Sequence, residues 1–147
     1  MKLTDQQLKQ LKDYFSKQPD IVAVYVYGSF ATGNTHPKSD LDLGILFDKP
    51  THSLTGTSQI DSGLSELNLP TKNLDIREIH IDLEPVYLRN VVQGSPIYSG
   101  NNIKRIRFEV AAIRKFRNTE HLRKIRSDYM YQRIKEGSYG TGSANFN

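Results

Sequence analysis

Residues 25–47, YVYGSFATGNTHPKSDLDLGILF, decide how the rest of the chain is read. The stretch opens as an apolar strand ending at Tyr27, breaks at Gly28-Ser29 and crosses a polar loop. It re-enters a strand at Ser39-Asp40-Leu41-Asp42. Along that second strand Leu41, Leu43, Ile45 and Phe47 alternate with Asp40, Asp42 and Gly44, so one face is apolar and the other acidic. The apolar set reads as core. The two carboxylates point the same way, with about 7 Å between their Cα atoms. Such a pair suits a divalent cation, because Mg²⁺ is typically held by one or two carboxylates plus substrate phosphates. Gly28-Ser29 ends a strand and is placed to open a short helix, whose free backbone N–H groups hold phosphate. A phosphate cradle and a carboxylate pair joined by one loop are what phosphoryl or nucleotidyl transfer requires.

On either side of this stretch the pattern is that of an α/β chain. Upstream, Leu3-Thr4-Asp5-Gln6-Gln7-Leu8 reads as a helix start, with Thr4 and Gln7 as a capping box and Leu3 with Leu8 as a staple. Leu8, Leu11 and Phe15 then share one face. Ile21 to Tyr27 is apolar on both faces, which predicts a central, covered strand. The Thr32 to Lys38 loop offers His36 and Lys38 to a triphosphate, though a solvated loop position explains each as well. Downstream, Asp48 to Gly56 is polar and turn-prone. A helix through Ile60, Leu64 and Leu67 follows, closed by Pro70.

Leu74 to Ile81 is the third strand. Asp75 lies near its start between Leu74 and Ile76, and its neighbour Arg77 is a ready ion-pair partner. Asp82 is placed to cap the next helix, with Glu84 and Pro85 in its first turn and Gly94 just past its end. Ile97-Tyr98 is a short apolar segment. Asn102 to Arg117 reads as an amphipathic helix through Ile103, Ile106, Val110, Ile113 and Phe116. Thr119 opens a further helix with Leu122, Ile125 and Tyr129.

Length and composition set the bounds. A chain of 147 residues is one domain by size, expected over residues 1–136. The Gly/Ser/Asn-rich segment 137–147 is expected to be a disordered tail. There is no cysteine, which excludes a disulfide scaffold and fits a reducing cytoplasm. The longest apolar run, Ile21 to Tyr27, is too short to cross a bilayer, so no membrane partner is expected. The net charge of +4 is uneven: Lys104 to Lys135 holds eleven Lys/Arg against three Asp/Glu. That basic third suits nucleic acid or an acidic protein, and equally a solvated helix face.

Gly28-Ser29 followed by Ser39-Asp40-x-Asp42-Leu43 resembles the signature of the minimal (MNT-type) nucleotidyltransferases. Asp75, Ile79, Gly94, Ile97 and Tyr98 match the order and spacing of a later strand Asp and a Gly-x-x-[LI]-Tyr segment in that family. Phe108-Glu109-Val110-Ala111-Ala112 is similar to the helix that follows it. The resemblance covers most of residues 20–118. It departs at Thr32, where many relatives carry a basic residue.

The resemblance implies an α/β (α+β) nucleotidyltransferase fold: a small mixed sheet with the acidic site on one side, helices on the other and a C-terminal helical extension. It implies transfer of AMP from ATP with two Mg²⁺ ions. Asp40, Asp42 and Asp75 would be catalytic and would hold the metal, while Gly28, Ser29 and Ser39 would hold the nucleotide. The small size is similar to that of the antitoxins of HEPN/MNT toxin–antitoxin pairs, whose acceptor is a tyrosine of a partner HEPN ribonuclease. Transfer to a small molecule such as an aminoglycoside, or neutralisation of a toxin by binding alone, are the alternatives. Arg114 and His121 fit an Arg/His spacing of HEPN ribonucleases themselves, but too little chain remains for such a helical bundle, and the helix breaks near Asn118.

Overall fold

The computed structural model of the chain describes residues 2–49 and 54–137. The first helix, α1 (Asp5–Ser16), begins where the capping box requires. Thr4 Oγ1 accepts from Gln7 N at 3.2 Å, and Thr4 N donates to Gln7 Oε1 at 3.0 Å. Leu11 and Phe15 are buried, with Leu3 and Leu8 packed beside them. Strand β1 (Ile21–Tyr27) is buried at every residue but the last. It runs directly into α2 (Gly28–Thr32), and β2 (Leu41–Phe47) follows the loop. Helix α3 (Leu54–Ser65) crosses to β3 (Leu74–Glu78). Ile60 and Leu64 are buried on it, and Leu67 packs against the core from beyond its end.

Strand β3 is shorter than the apolar run suggests, because the chain turns at His80–Leu83, where Leu83 N donates to His80 O at 3.2 Å. Asp82 falls inside that turn. The residue that caps α4 (Pro85–Val92) is therefore Glu84, whose carboxylate accepts from Tyr87 N at 3.0 Å, with Pro85 in the first turn. β4 (Ser95–Ser99), α5 (Asn102–Asn118) and α6 (Glu120–Lys135) complete the order. The expected tail, past Gly137, lies outside the described residues, as does part of the polar stretch after Asp48. Among the described residues no helix is long and apolar enough to cross a membrane.

The four strands form one mixed sheet in the order β3-β2-β1-β4. β1 is antiparallel to both its neighbours, and β2 pairs with β3 in parallel through the α3 crossover. The fold is thus the expected mixed α/β sheet, with one correction: helices cover both faces. α1 and α3 meet Leu41, Leu43 and Ile45 on one face. On the other, Val22, Ala23, Tyr25, Leu46 and Ile79 pack with Val91 of α4 and Phe108 of α5. The reason is β1 itself, whose apolar residues on both sides need cover. The acidic residues share the second face with α4 and α5 and lie beside these helices.

Glycine at position 44 sets how close α4 comes. A Cβ there would meet Val91 Cγ1 at 3.0 Å and Ile79 Cγ2 at 3.3 Å, so α4 lies almost on the strand. α5 is tied to the same face by polar contacts. Tyr25 Oη donates to Glu109 Oε1 at 2.8 Å, and Arg105 Nη1 reaches the same oxygen at 2.7 Å. The Ile103, Ile106, Val110 and Ile113 stripe does not face the sheet. It is exposed, Ile103 at 66 %. α6 buries no residue at all.

Candidate active site

The site is built where β1 hands over to α2. Gly28 has φ +67°, a left-handed conformation, and a Cβ on it would meet Asp42 Oδ2 at 2.1 Å. Only glycine lets the start of α2 come this close to the β2 carboxylate. No side-chain hydrogen bond caps α2. Its first-turn N–H groups, which have no acceptor within the helix, open beside Asp42. Ser29 follows as the second residue of that turn. Thr32, at the departure from the family pattern, is exposed and turns its hydroxyl back to the carbonyls of Gly28 and Ser29 at 3.4 and 3.3 Å.

Three acidic residues share this face. Asp40 is exposed, immediately before β2, and Asp42 is half-buried within it. In the parallel β2–β3 ladder Asp42 stands opposite Asp75, and Gly44 opposite Arg77. Neighbours across a ladder point to the same side of the sheet, which brings Asp75 beside Asp42 from a strand about thirty residues later. Burial pushes the Asp42 carboxyl above the usual carboxylate range, and the charges of Asp75 and Asp40 push it further. Arg77 opposes them.

Asp75 is already engaged. Arg77 Nε lies 3.1 Å from each of its oxygens, and Nη2 lies 2.8 Å from Oδ2. Asp75 thus lies on the same face as Asp42 and is paired with Arg77. Ser39, expected on the nucleotide, closes its own loop. Its hydroxyl accepts from His36 N at 2.6 Å, and its N–H donates to His36 O at 2.9 Å. His36 and Lys38 are exposed on the same loop.

Two residues that the sequence did not single out complete the wall. Tyr27 stands opposite Asp42 in the β1–β2 register, and its Oη lies 2.9 Å from Tyr87 Oη of α4. Burial pushes both phenols up, Tyr27 the more strongly. With Gly28, Ala31, Thr32, Asn90, Gln93 and Gly94 they line an open cavity of about 520 Å³. The signal for Tyr27 was its place at the strand end, on the face shared with Asp42; for Tyr87 it lay only in tertiary packing.

The donor set suits a hard divalent cation: carboxylate oxygens gathered on one face of the sheet. Among the described residues no three acidic or imidazole groups are gathered closely enough to ligate an ion as they stand. Asp75 is turned to Arg77.

A sheet of this order with a Gly-Ser turn facing an Asp-x-Asp strand defines a nucleotidyltransferase scaffold. The polymerase beta nucleotidyltransferase family matches residues 9–103, and the chain belongs to that family. No curated protein matches it. Among solved structures, its fold is similar to a mutant MntA–HpeT toxin–antitoxin complex, at TM-score 0.67 and 18% identity, over 84% of this chain and 98% of that one. A toxin–antitoxin with AMP-PNP matches at TM-score 0.62 and 18% identity, with the same coverage. A tri-AMPylated Shewanella oneidensis HEPN toxin in complex with MNT antitoxin matches at 0.59 and 17%, over 84% and 98%.

Proposed function

We propose that this protein is a metal-dependent adenylyltransferase that moves AMP from ATP to a tyrosine hydroxyl of a HEPN-type ribonuclease toxin, and is its antitoxin. The observation that carries this reading is the β2–β3 register, which sets Asp75 beside Asp42 with Gly28 against Asp42. The solved toxin–antitoxin complexes of the same fold, one with AMP-PNP and one with an AMPylated HEPN toxin, support the choice of nucleotide and acceptor.

In this reading the first turn of α2, at Gly28 and Ser29, takes the triphosphate on its backbone N–H groups. Ser39 acts through the loop it closes, which sets Asp40 at the mouth of the site. Asp40 and Asp42 would hold two Mg²⁺ ions, with Asp75 completing the ligand set; when bound, the ions neutralise charge on the attacking and leaving oxygens at the α-phosphate. Asp75 accepts the proton of the acceptor hydroxyl. The hydroxyl oxygen forms the new bond to the α-phosphorus, the bond to the bridging oxygen breaks and pyrophosphate leaves. The cavity between α2 and α4 takes the nucleoside, with Tyr27 and Tyr87 as its apolar wall and Asn90 and Gln93 as polar groups along its edge.

Exposed isoleucines on α5 and α6, set among Lys and Arg, favour a protein acceptor over a small molecule or nucleic acid. Apolar side chains stack no base and need a partner surface to cover them. Calorimetry tests the site: ATP should bind in Mg²⁺ or Mn²⁺ and lose that affinity with a chelator or in Asp40→Asn/Asp42→Asn. Equal affinity in all these cases would refute the metal-dependent reading.

A further inference from the structure

Arg77 has no part in the reaction described above, yet it makes the most complete polar contact on the acidic face. It lies two residues after Asp75 on the edge strand β3, pointing to the same side. Its fork takes both Asp75 oxygens, at 2.8 and 3.1 Å. The lone pairs turned to the guanidinium are then not offered toward Asp42. This accounts for three acidic residues sharing one face without closing into a ligand cluster. The pair is also easily opened. The Arg77 and Asp75 side chains are 58% and 34% exposed, and pairs this wet add little stability.

We propose that Arg77 is a positioning residue that latches Asp75 in the metal-free protein, so that Asp75 joins an ion only after the fork lets go. The inference rests on the metal reading of Asp40, Asp42 and Asp75. Asp40 and Asp42, which Arg77 does not hold, would be open to the ion that comes with the nucleotide while Asp75 is still latched. The ligand that is also the proton acceptor is withheld until last, as a weak competitor rather than a permanent block. A fork is suited to this. Lysine, with one compact ammonium, lacks the planar two-point grip on a carboxylate.

A rival account has Arg77 acting only as a positive charge that repels any cation nearby. Mn²⁺ titrations followed by the electron paramagnetic resonance of the free ion, on full-length variants checked for folding by circular dichroism, separate the two. The latch requires Arg77→Ala to bind Mn²⁺ about fivefold more tightly, the size of one exposed ion pair. It requires Arg77→Lys to move most of the way with it, although its charge is kept. In an Asp75→Asn background, Arg77→Ala should gain nothing, because the interaction being released is already gone.

Arg77→Lys binding as the wild type does, or an undiminished gain from Arg77→Ala in the Asp75→Asn background, would overturn the latch and leave the metal site standing. The underlying reading fails separately, and the latch with it, if Asp42→Asn binds Mn²⁺ as well as the wild type or if no variant binds it.

Discussion

Asp42 is half-buried in an otherwise largely buried strand, near two other acidic residues and against Gly28, where any Cβ would collide with its Oδ2. Its carboxyl is raised by burial first and by Asp75 and Asp40 next. A carboxyl whose folded pKa lies above its unfolded one favours the fold below the unfolded value. That advantage is lost as pH rises through the folded value. Metal-free Asp42→Asn should therefore melt higher than the wild type at neutral pH, by about 1–2 °C once solvent screening is allowed for. The gain should shrink as pH falls through the carboxylate range; calorimetric melting at several pH values measures it. Asp75→Asn should act on the chemistry instead. In the proposed reaction Asp75 would serve the attacking hydroxyl, so we expect transfer to fall about 10²-fold or more, with ATP affinity changed by less than about tenfold. Single-turnover kinetics beside equilibrium binding separates the two effects.

Among the elements, α5 shows how far periodicity carries. Its start and end follow the sequence pattern closely, with Asn101 Oδ1 accepting from Lys104 N at 3.0 Å. The face was not legible. Ile103, Ile106, Val110 and Ile113 look like core by spacing and are exposed. The side that packs carries Phe108 and Ala112, with Arg105 and Glu109 tied to buried Tyr25. A polar network that satisfies itself inside an interface leaves no apolar period to read. Tyr25→Phe tests its role: losing one hydrogen bond to a charged group should lower stability by about 1–2 kcal/mol. ATP affinity should be unchanged, as read by denaturant unfolding and calorimetry. The start of α4 was missed by two residues for a local reason. The turn at His80–Leu83 consumes Asp82, and Glu84 takes the cap.

For the molecule as a whole, residues 25–47 carried most of what was needed: a strand covered on both faces, a Gly-Ser turn and an alternating acidic strand. The same apolar residues of β1 called for helices on both faces, but which helices would supply them depends on the packing of α4 and α5. The pairing of Asp42 with Asp75 was also beyond local pattern, since a parallel register across a crossover helix is set by tertiary packing. Asp75 entered through resemblance, and the register then placed it. If that register serves adenylyl transfer to a partner protein, intact-mass spectrometry reads the product directly. Incubated with ATP, Mg²⁺ and a cognate HEPN protein, the partner should gain whole adenylyl masses, and none with Asp42→Asn. A partner that is inhibited while keeping its unmodified mass would contradict the account.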